Sequence, residues 1–160
     1  MKKLILIMAA VIFTAIGVKA QDSKPVVVSI AGNIGLPTTT GLSLAYGGDL
    51  QADFAVAPTT KITASAGYES YSVKGGGHTS GVIPILAGAK FFFGQDNKIY
   101  GHAQLGYVLS TASGGGGAFG YAPSIGYYVS PDFDIALKYL AFSKNSYTTG
   151  SINLRLAYNF

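Results

Sequence analysis

Large apolar side chains alternate with small or polar ones at a period of two residues, and this alternation is the feature that most constrains the fold. It recurs from residue 24 onward in segments of about ten residues, separated by clusters of Gly, Ser, Thr, Pro and Asn. The final segment reads LRLAYNF, in which Leu, Leu, Tyr and Phe alternate with Arg, Ala and Asn. No helical period competes with this pattern, so the sequence predicts an all-β protein.

The alternating segments predict eight strands, at residues 26–36, 41–56, 62–71, 82–93, 98–110, 118–129, 133–142 and 150–160. Their connections are short after the second, fourth and sixth segments and generally longer after the third, fifth and seventh. Short turns at one end and longer loops at the other are typical of outer-membrane barrels, which have an even number of strands. We therefore expect an eight-stranded antiparallel up-and-down transmembrane β-barrel.

The composition indicates that much of the surface meets something other than water. Charged residues make up 11 % of the chain and hydrophobic residues 49 %, whereas soluble domains carry about 25 % charged residues. After residue 20, no apolar run approaches the roughly 20 residues that a spanning helix needs. A membrane protein that spans with strands fits both observations.

The first 20 residues have the pattern of a secretory signal peptide. Lys2 and Lys3 precede an apolar run over residues 4–18. Ala20 ends a stretch of small or medium-sized residues, as at a signal-peptidase cleavage site. Cleavage there would leave residues 21–160 as the barrel domain and would export the chain to the outer membrane of a Gram-negative bacterium. An uncleaved anchor is the alternative, although a run of about 15 residues is short for a spanning helix.

Charge and cysteine content exclude several classes of protein. Without the three leader lysines, the 11 basic residues fall to eight against seven acidic ones, which leaves no basic patch for nucleic acid. The absence of cysteine excludes a lipidated cysteine and structural disulfides.

The row opposite the large apolar side chains is small or polar, and we expect it to fill the inside of the barrel, here called the bore. Six charged residues belong to it: Asp49, Asp53, Glu69, Lys90, Lys138 and Arg155. Because an unpaired ion in a low-dielectric bore costs several kcal/mol, neutralising partners are expected. One hypothesis is that Arg155 pairs with an acid of the second or third strand. The charges would then form either a plug or, alternatively, a narrow path for ions or small solutes.

Aromatic residues of the apolar row sort toward the two ends of the predicted strands. Toward the loops lie Tyr46, Tyr68, Tyr107, Phe119, Tyr121 and Tyr139; toward the turns lie Phe54, Phe91, Phe93, Tyr127 and Phe133, followed by Tyr158 and Phe160. Two such girdles are typical of barrels in contact with outer-membrane lipid. The alternative is a secreted lipocalin-like barrel whose aromatic row encloses a ligand, but its exterior of Gly, Ala, Ser and Thr would be poorly soluble.

Four stretches carry a resemblance to a known group: AGAKFFF, YGHAQLGY, FGYAPSIGY and the terminal LRLAYNF. The chain resembles the small outer-membrane β-barrel domains of Bacteroidota, which are similar in architecture to the OmpA and OmpX barrels. The resemblance implies that Leu156, Tyr158 and Phe160 form the C-terminal signal read by the barrel-assembly machinery. It also implies that the charges of the bore form a salt-bridged plug. We expect a monomer with a structural or surface-interaction role in the cell envelope.

Catalysis and metal binding find little support in the sequence. His78 lies near Ser80 in a glycine-rich loop, but no carboxylate of that loop is placed to orient the histidine, so no triad is predicted and the protein is not expected to be an enzyme. His102, beside Gln104 on the inward row, is expected to make a hydrogen bond in the bore. With two distant histidines and no cysteine, neither a metal site nor a cofactor is predicted.

Overall fold

The structure is a computed structural model that describes residues 26–75, 79–94, 96–112, 114–144 and 147–160. The predicted signal peptide and His78 lie outside the described residues. Every regular element in the described ranges is a strand: β1 Val26–Pro37, β2 Leu42–Ala57, β3 Thr60–Val73, β4 Ser80–Phe93, β5 Ile99–Ser110, β6 Gly117–Tyr121, β7 Ser124–Ser130, β8 Phe133–Lys144 and β9 Tyr147–Asn159. The described part of the chain has no helix that is long and apolar enough to cross a membrane.

The strands form one antiparallel sheet that closes on itself. Each strand pairs with its neighbour along the chain, except that β6 and β7 lie end to end and both pair with β5 and β8. Strand β1 pairs with β9, with Ser29 opposite Asn159 and Pro37 opposite Ser151, and this pairing completes the circle. The wall therefore has eight strand positions, which confirms the predicted barrel.

One strand prediction needs correction, because the predicted sixth strand over 118–129 is two strands, β6 and β7, separated at Pro123. The carbonyl of Pro123 accepts a hydrogen bond from the Tyr139 N–H at 2.9 Å, but proline has no N–H to return. On the other side, Ala122 and Gln104 still exchange both backbone hydrogen bonds, at 2.8 and 3.3 Å. The interruption therefore affects only the seam with β8.

Glycines on the inward rows allow the sheet to coil tightly enough to close. A Cβ atom added to Gly47 would lie 2.0 Å from the carbonyl oxygen of Tyr68, and one added to Gly88 would lie 2.0 Å from that of Ala103. Only glycine fits such close approaches of neighbouring backbones. Strong local coiling at glycine is one way in which a small barrel turns its corners.

The two faces of the wall carry opposite chemistry. Large apolar side chains are exposed on the outside, among them Leu105 at 58 %, Ile125 at 59 % and Leu137 at 54 %. The alternate positions are buried in the bore, among them Gln104 at 2 % and Asn153 at 0 %. The lipocalin-like alternative needs the reverse arrangement, so the structure contradicts it.

The expectation that the inward rows are only small or polar is wrong at the end of the barrel where the longer connections lie, here called the loop end. There Ala45, Tyr71, Val82 and Val108 are buried together, with Leu42 and Phe142 packed against them. We call these residues the loop-end apolar cluster. Apolar side chains fill the narrow bore without needing hydrogen-bond partners, which polar ones would require.

Candidate functional site

Asp49 on β2 is the centre of the polar part of the bore. The Arg155 Nη2 atom lies 2.8 Å from Asp49 Oδ1, and the Arg155 Nε atom lies 3.2 Å from each carboxylate oxygen. Asn33 donates to Oδ2 at 2.9 Å, and Lys138 Nζ lies 3.6 Å from the same oxygen. Arg155 thus pairs with an acid of the second strand, in agreement with the hypothesis drawn from the sequence.

Asp134 on β8 belongs to the same network, although it is not among the six predicted bore charges. It is fully buried, and its carboxylate accepts hydrogen bonds from the Tyr100 hydroxyl at 2.5 Å and from Asn159 Nδ2 at 3.0 Å. Arg155 Nη1 lies 3.6 Å from Asp134. The signal was present, because Asp134 precedes Lys138 by four residues and therefore shares its face of the strand.

A second buried ion pair lies toward the end of the barrel with the short connections, here called the turn end. Lys90 Nζ on β4 is 2.7 Å from Asp53 Oδ2 on β2, and the two side chains are 1 % and 2 % exposed. Gln51 donates to the other oxygen of Asp53 at 2.6 Å. Lys90 Nζ also lies 4.7 Å from the ring centre of Tyr100, a cation–π contact that adds to the stabilisation of the ammonium group.

Lys61 lies at the mouth of the turn end and was also not foreseen. Its Nζ atom is 5.2 Å from the ring centre of Phe92 and 5.8 Å from that of Tyr128. The Tyr128 ring is shared with Lys90, at 5.7 Å. Two lysines thus pack against one group of aromatic rings at this mouth.

Glu69 on β3 differs from the other acids of the bore. It accepts hydrogen bonds from Ser151 Oγ at 2.6 Å and from Asn153 Nδ2 at 3.2 Å. The Tyr71 hydroxyl lies 3.1 Å from Ser151 Oγ. No lysine or arginine nitrogen of the described residues lies within 4.0 Å of Glu69.

His102 makes a side-chain hydrogen bond in the bore, as expected. Its Nε2 atom lies 2.8 Å from the Thr63 hydroxyl, and the neighbouring Gln104 donates to Ser65 at 2.9 Å. Among the described residues, no group of three or more His, Cys, Asp or Glu side chains is arranged to hold a metal ion. The arrangement around His102 is that of a hydrogen-bonded bore wall.

The aromatic residues of the predicted girdles lie on the outer surface. Most are clearly exposed, from Phe133 at 37 % to Phe93 and Phe119 at 55 %; the exposed members are Tyr46, Phe54, Tyr68, Phe91, Phe93, Tyr107, Phe119, Tyr127 and Phe133. Tyr121 and Tyr139 are half-buried, with ring centres 6.1 Å apart in an edge-to-face contact. At the C-terminus, Leu156, Tyr158 and Phe160 are exposed at 41 %, 50 % and 61 %.

A closed wall, an apolar exterior and a filled polar bore are the features of small outer-membrane β-barrels, and solved structures of that class are similar to this chain. Ail, the attachment invasion locus protein of Yersinia pestis, matches with a TM-score of 0.59 at 15 % identity, over 84 % of this chain and 97 % of Ail. The N-terminal β-barrel domain of Pseudomonas aeruginosa OprF matches with a TM-score of 0.57 at 11 % identity, over 83 % and 97 %. A de novo designed transmembrane β-barrel matches with a TM-score of 0.57 at 15 % identity, over 88 % and 100 %.

These likenesses show the fold that the chain shares with outer-membrane barrels. No family model matches the sequence, and no curated protein sequence matches it significantly. The resemblance to Bacteroidota barrels of the OmpA and OmpX type therefore stays a prediction.

Proposed function

We propose that the protein is an integral barrel of a bacterial outer membrane, with a bore closed by its own side chains and a structural or surface-interaction role in the envelope. The observation that carries this proposal is the inversion of the two faces. Leu105, Ile125 and Leu137 are exposed, while Asp53, Lys90 and Arg155 are buried and paired. Water would favour the opposite arrangement, and a bilayer favours this one.

The apolar surface is too continuous for a soluble monomer. Soluble proteins rarely expose contiguous apolar patches of more than a few hundred Å², whereas here every side of the wall carries exposed large apolar residues, including Ile30, Ile85, Leu137 and Leu154. Tyr68 and Tyr107 toward the loop end, with Phe54 and Phe93 toward the turn end, fit the two interfaces of a membrane. Outer-membrane lipid is therefore the proposed partner of this surface, around a monomeric barrel.

Closure of the bore favours a structural role over the alternative of a narrow channel. A solute would have to displace the loop-end apolar cluster, where Tyr71, Val82 and Val108 are 1–3 % exposed. It would then meet ion pairs whose separation leaves uncompensated charge in a low-dielectric bore.

Fractionation and electrical recording test these two parts separately. We expect the protein in the outer-membrane fraction, with faster gel migration before boiling than after it. A pool that stays soluble in the periplasm without detergent would contradict membrane integration. In planar bilayers we expect no steady conductance, with a sixteen-stranded porin as the positive control; reproducible open levels would contradict the closed bore.

Surface interaction is supported by the chemistry of the loop end. Leu36 is 67 % exposed and Tyr147 is 83 % exposed, and Lys74 follows β3 in a connection without acidic residues. Ail has been solved in complex with the heparin analogue sucrose octasulfate. Titration of the folded barrel with sucrose octasulfate tests this role: we expect salt-sensitive binding that is weakened by Lys74→Ala but not by Lys98→Ala. Equal binding by both variants would contradict recognition at the loop end.

A further inference from the structure

We propose that the bore holds one small monovalent cation of the Na⁺ or K⁺ type beside Glu69. This site would lie between the loop-end apolar cluster and the ion pair of Asp49 with Arg155. It is separate from the ion pairs described above, and it rests on the bore geometry alone.

The first argument is the charge of Glu69. The other buried acids of the described residues each have a basic nitrogen within reach: Asp53 at 2.7 Å, Asp49 at 2.8 Å and Asp134 at 3.6 Å. Glu69 is only 3 % exposed, yet none of the described lysines or arginines lies within 4.0 Å of it. A buried carboxylate without a counter-charge costs several kcal/mol, so a positive partner is expected.

The second argument is the direction of the hydrogen bonds around Glu69. Ser151 gives its hydroxyl proton to Glu69 Oε1, and the Tyr71 hydroxyl interacts with both Ser151 Oγ and the Glu69 carboxylate. Asn153 Nδ2 also donates to Oε1 and to Ser151. These donors surround the Glu69 carboxylate, which is the arrangement that an ionised, acceptor-only group requires.

The third argument is an acceptor without a donor. Asn153 is fully buried, and its Oδ1 atom has no hydrogen-bond partner. Turning the amide over would sacrifice the bonds that Nδ2 makes to Glu69 and Ser151, so the orientation is determined. A Cβ atom added to Gly35 would lie 2.3 Å from this oxygen, so glycine leaves room for the amide there. A buried unsatisfied carbonyl is costly, and a cation that contacts it relieves that cost.

The available ligands indicate a monovalent ion. Glu69 supplies one full negative charge, and Asn153 supplies a neutral amide oxygen. A single positive charge makes the site neutral, whereas a divalent ion would leave an excess charge in a low-dielectric bore.

Stability in different salts tests the site. The barrel is refolded in detergent in NaCl, KCl or choline chloride of equal ionic strength, so that the site can be loaded during folding. Because a ligand stabilises the state that binds it, we expect the melting midpoint to be about 3–5 °C higher in the preferred salt at about ten times its Kd. Choline, a bulky quaternary ammonium ion, gives the baseline, and the difference between Na⁺ and K⁺ identifies the better fit.

Glu69→Gln keeps the shape of the side chain and removes its charge, so the dependence on the cation should disappear. Asp132→Asn removes an exposed charge at the β7–β8 turn and should keep the full dependence. Equal midpoints of the native protein in all three salts would overturn the proposal, as would a cation effect that survives in Glu69→Gln.

A crystal of the native barrel grown in thallium acetate gives a measurement that does not depend on the folding of a variant. We expect an anomalous peak in contact with the Glu69 carboxylate and Asn153 Oδ1. Ordinary water density in that place without anomalous signal would overturn the proposal, because a buried water would then satisfy Asn153.

Discussion

The loop end and the turn end of the bore are closed in different ways. At the loop end, Tyr71, Val82 and Val108 pack as an apolar cluster. At the turn end, Asp53 pairs with Lys90, and Asp134 is bound by Tyr100 and Asn159. Apolar packing excludes water and ions without requiring particular partners, whereas a charge network stabilises the bore only if its members are paired.

The difference also concerns the register of the strands. The polar contacts join strands that are not neighbours: Asp49 on β2 contacts Arg155 on β9, and Asp53 on β2 contacts Lys90 on β4. A slip of one residue would turn either charge out of the bore. We infer that the ion pairs of the turn half specify register, while the loop-end apolar cluster fills space. Four substitutions test this contrast.

Arg155→Ala should have the largest effect, because among the described residues it leaves Asp134 without a basic partner within 4.0 Å and leaves Lys138 as the one base near Asp49. Removing one member of a buried ion pair costs about 3–5 kcal/mol. Urea unfolding of the barrel in lipid vesicles measures the loss. Lys74→Ala, on the exposed loop end, is the control, and a loss for Arg155→Ala no larger than that of the control would contradict a stabilising network.

Leu140→Ala tests the apolar filling, because Leu140 is fully buried against Leu86 and Ala122. The cavity that this substitution leaves is expected to lower the free energy of unfolding by about 2–5 kcal/mol. The matched control is Leu154→Ala on the outer wall, where Leu154 is 40 % exposed. Acyl chains can replace the lost contacts there, so we expect a loss below about 1 kcal/mol. If both variants lose the same free energy of unfolding in the urea assay, the buried and the outward-facing leucine have similar surroundings, which would contradict the prediction.

Tyr71→Phe keeps the ring in the loop-end apolar cluster and removes only the hydroxyl that contacts Ser151. The loss of one hydrogen bond is expected to lower the free energy of unfolding by about 0.5–1.5 kcal/mol. Tyr147→Phe, at a side chain that is 83 % exposed, should have no measurable effect. A much larger loss for Tyr71→Phe would mean that the loop end also depends on its polar contacts.

Lys61→Gln should have the smallest effect of the four. It removes the cation–π contacts with Phe92 and Tyr128 at the turn end, which are worth about 0.5–1 kcal/mol at a partly exposed site. Lys98→Gln removes an exposed lysine from the same end and is the control. If Lys61→Gln and the control have the same unfolding midpoint, the contacts of Lys61 with Phe92 and Tyr128 do not stabilise the barrel.

Local pattern predicted the barrel and the direction of each row, because side chains in a strand alternate between faces whatever the strand pairs with. The same pattern contains two further signals, at Pro123 and at Asp134. Pro123 lies within the predicted sixth strand, where its missing N–H interrupts pairing. Asp134 lies on the same face as Lys138 and so belongs to the bore.

The sequence by itself determined which side chains face the bore where the strands are regular, since that depends only on a period of two residues. Only the tertiary structure decided which of them meet, because Asp49 and Arg155 are separated by 106 positions, and their contact depends on the relative stagger of strands across a closed sheet. The same stagger brings Tyr71, Val82 and Val108 to one level of the bore. It also places Glu69 beside Ser151 and Asn153 rather than beside a base.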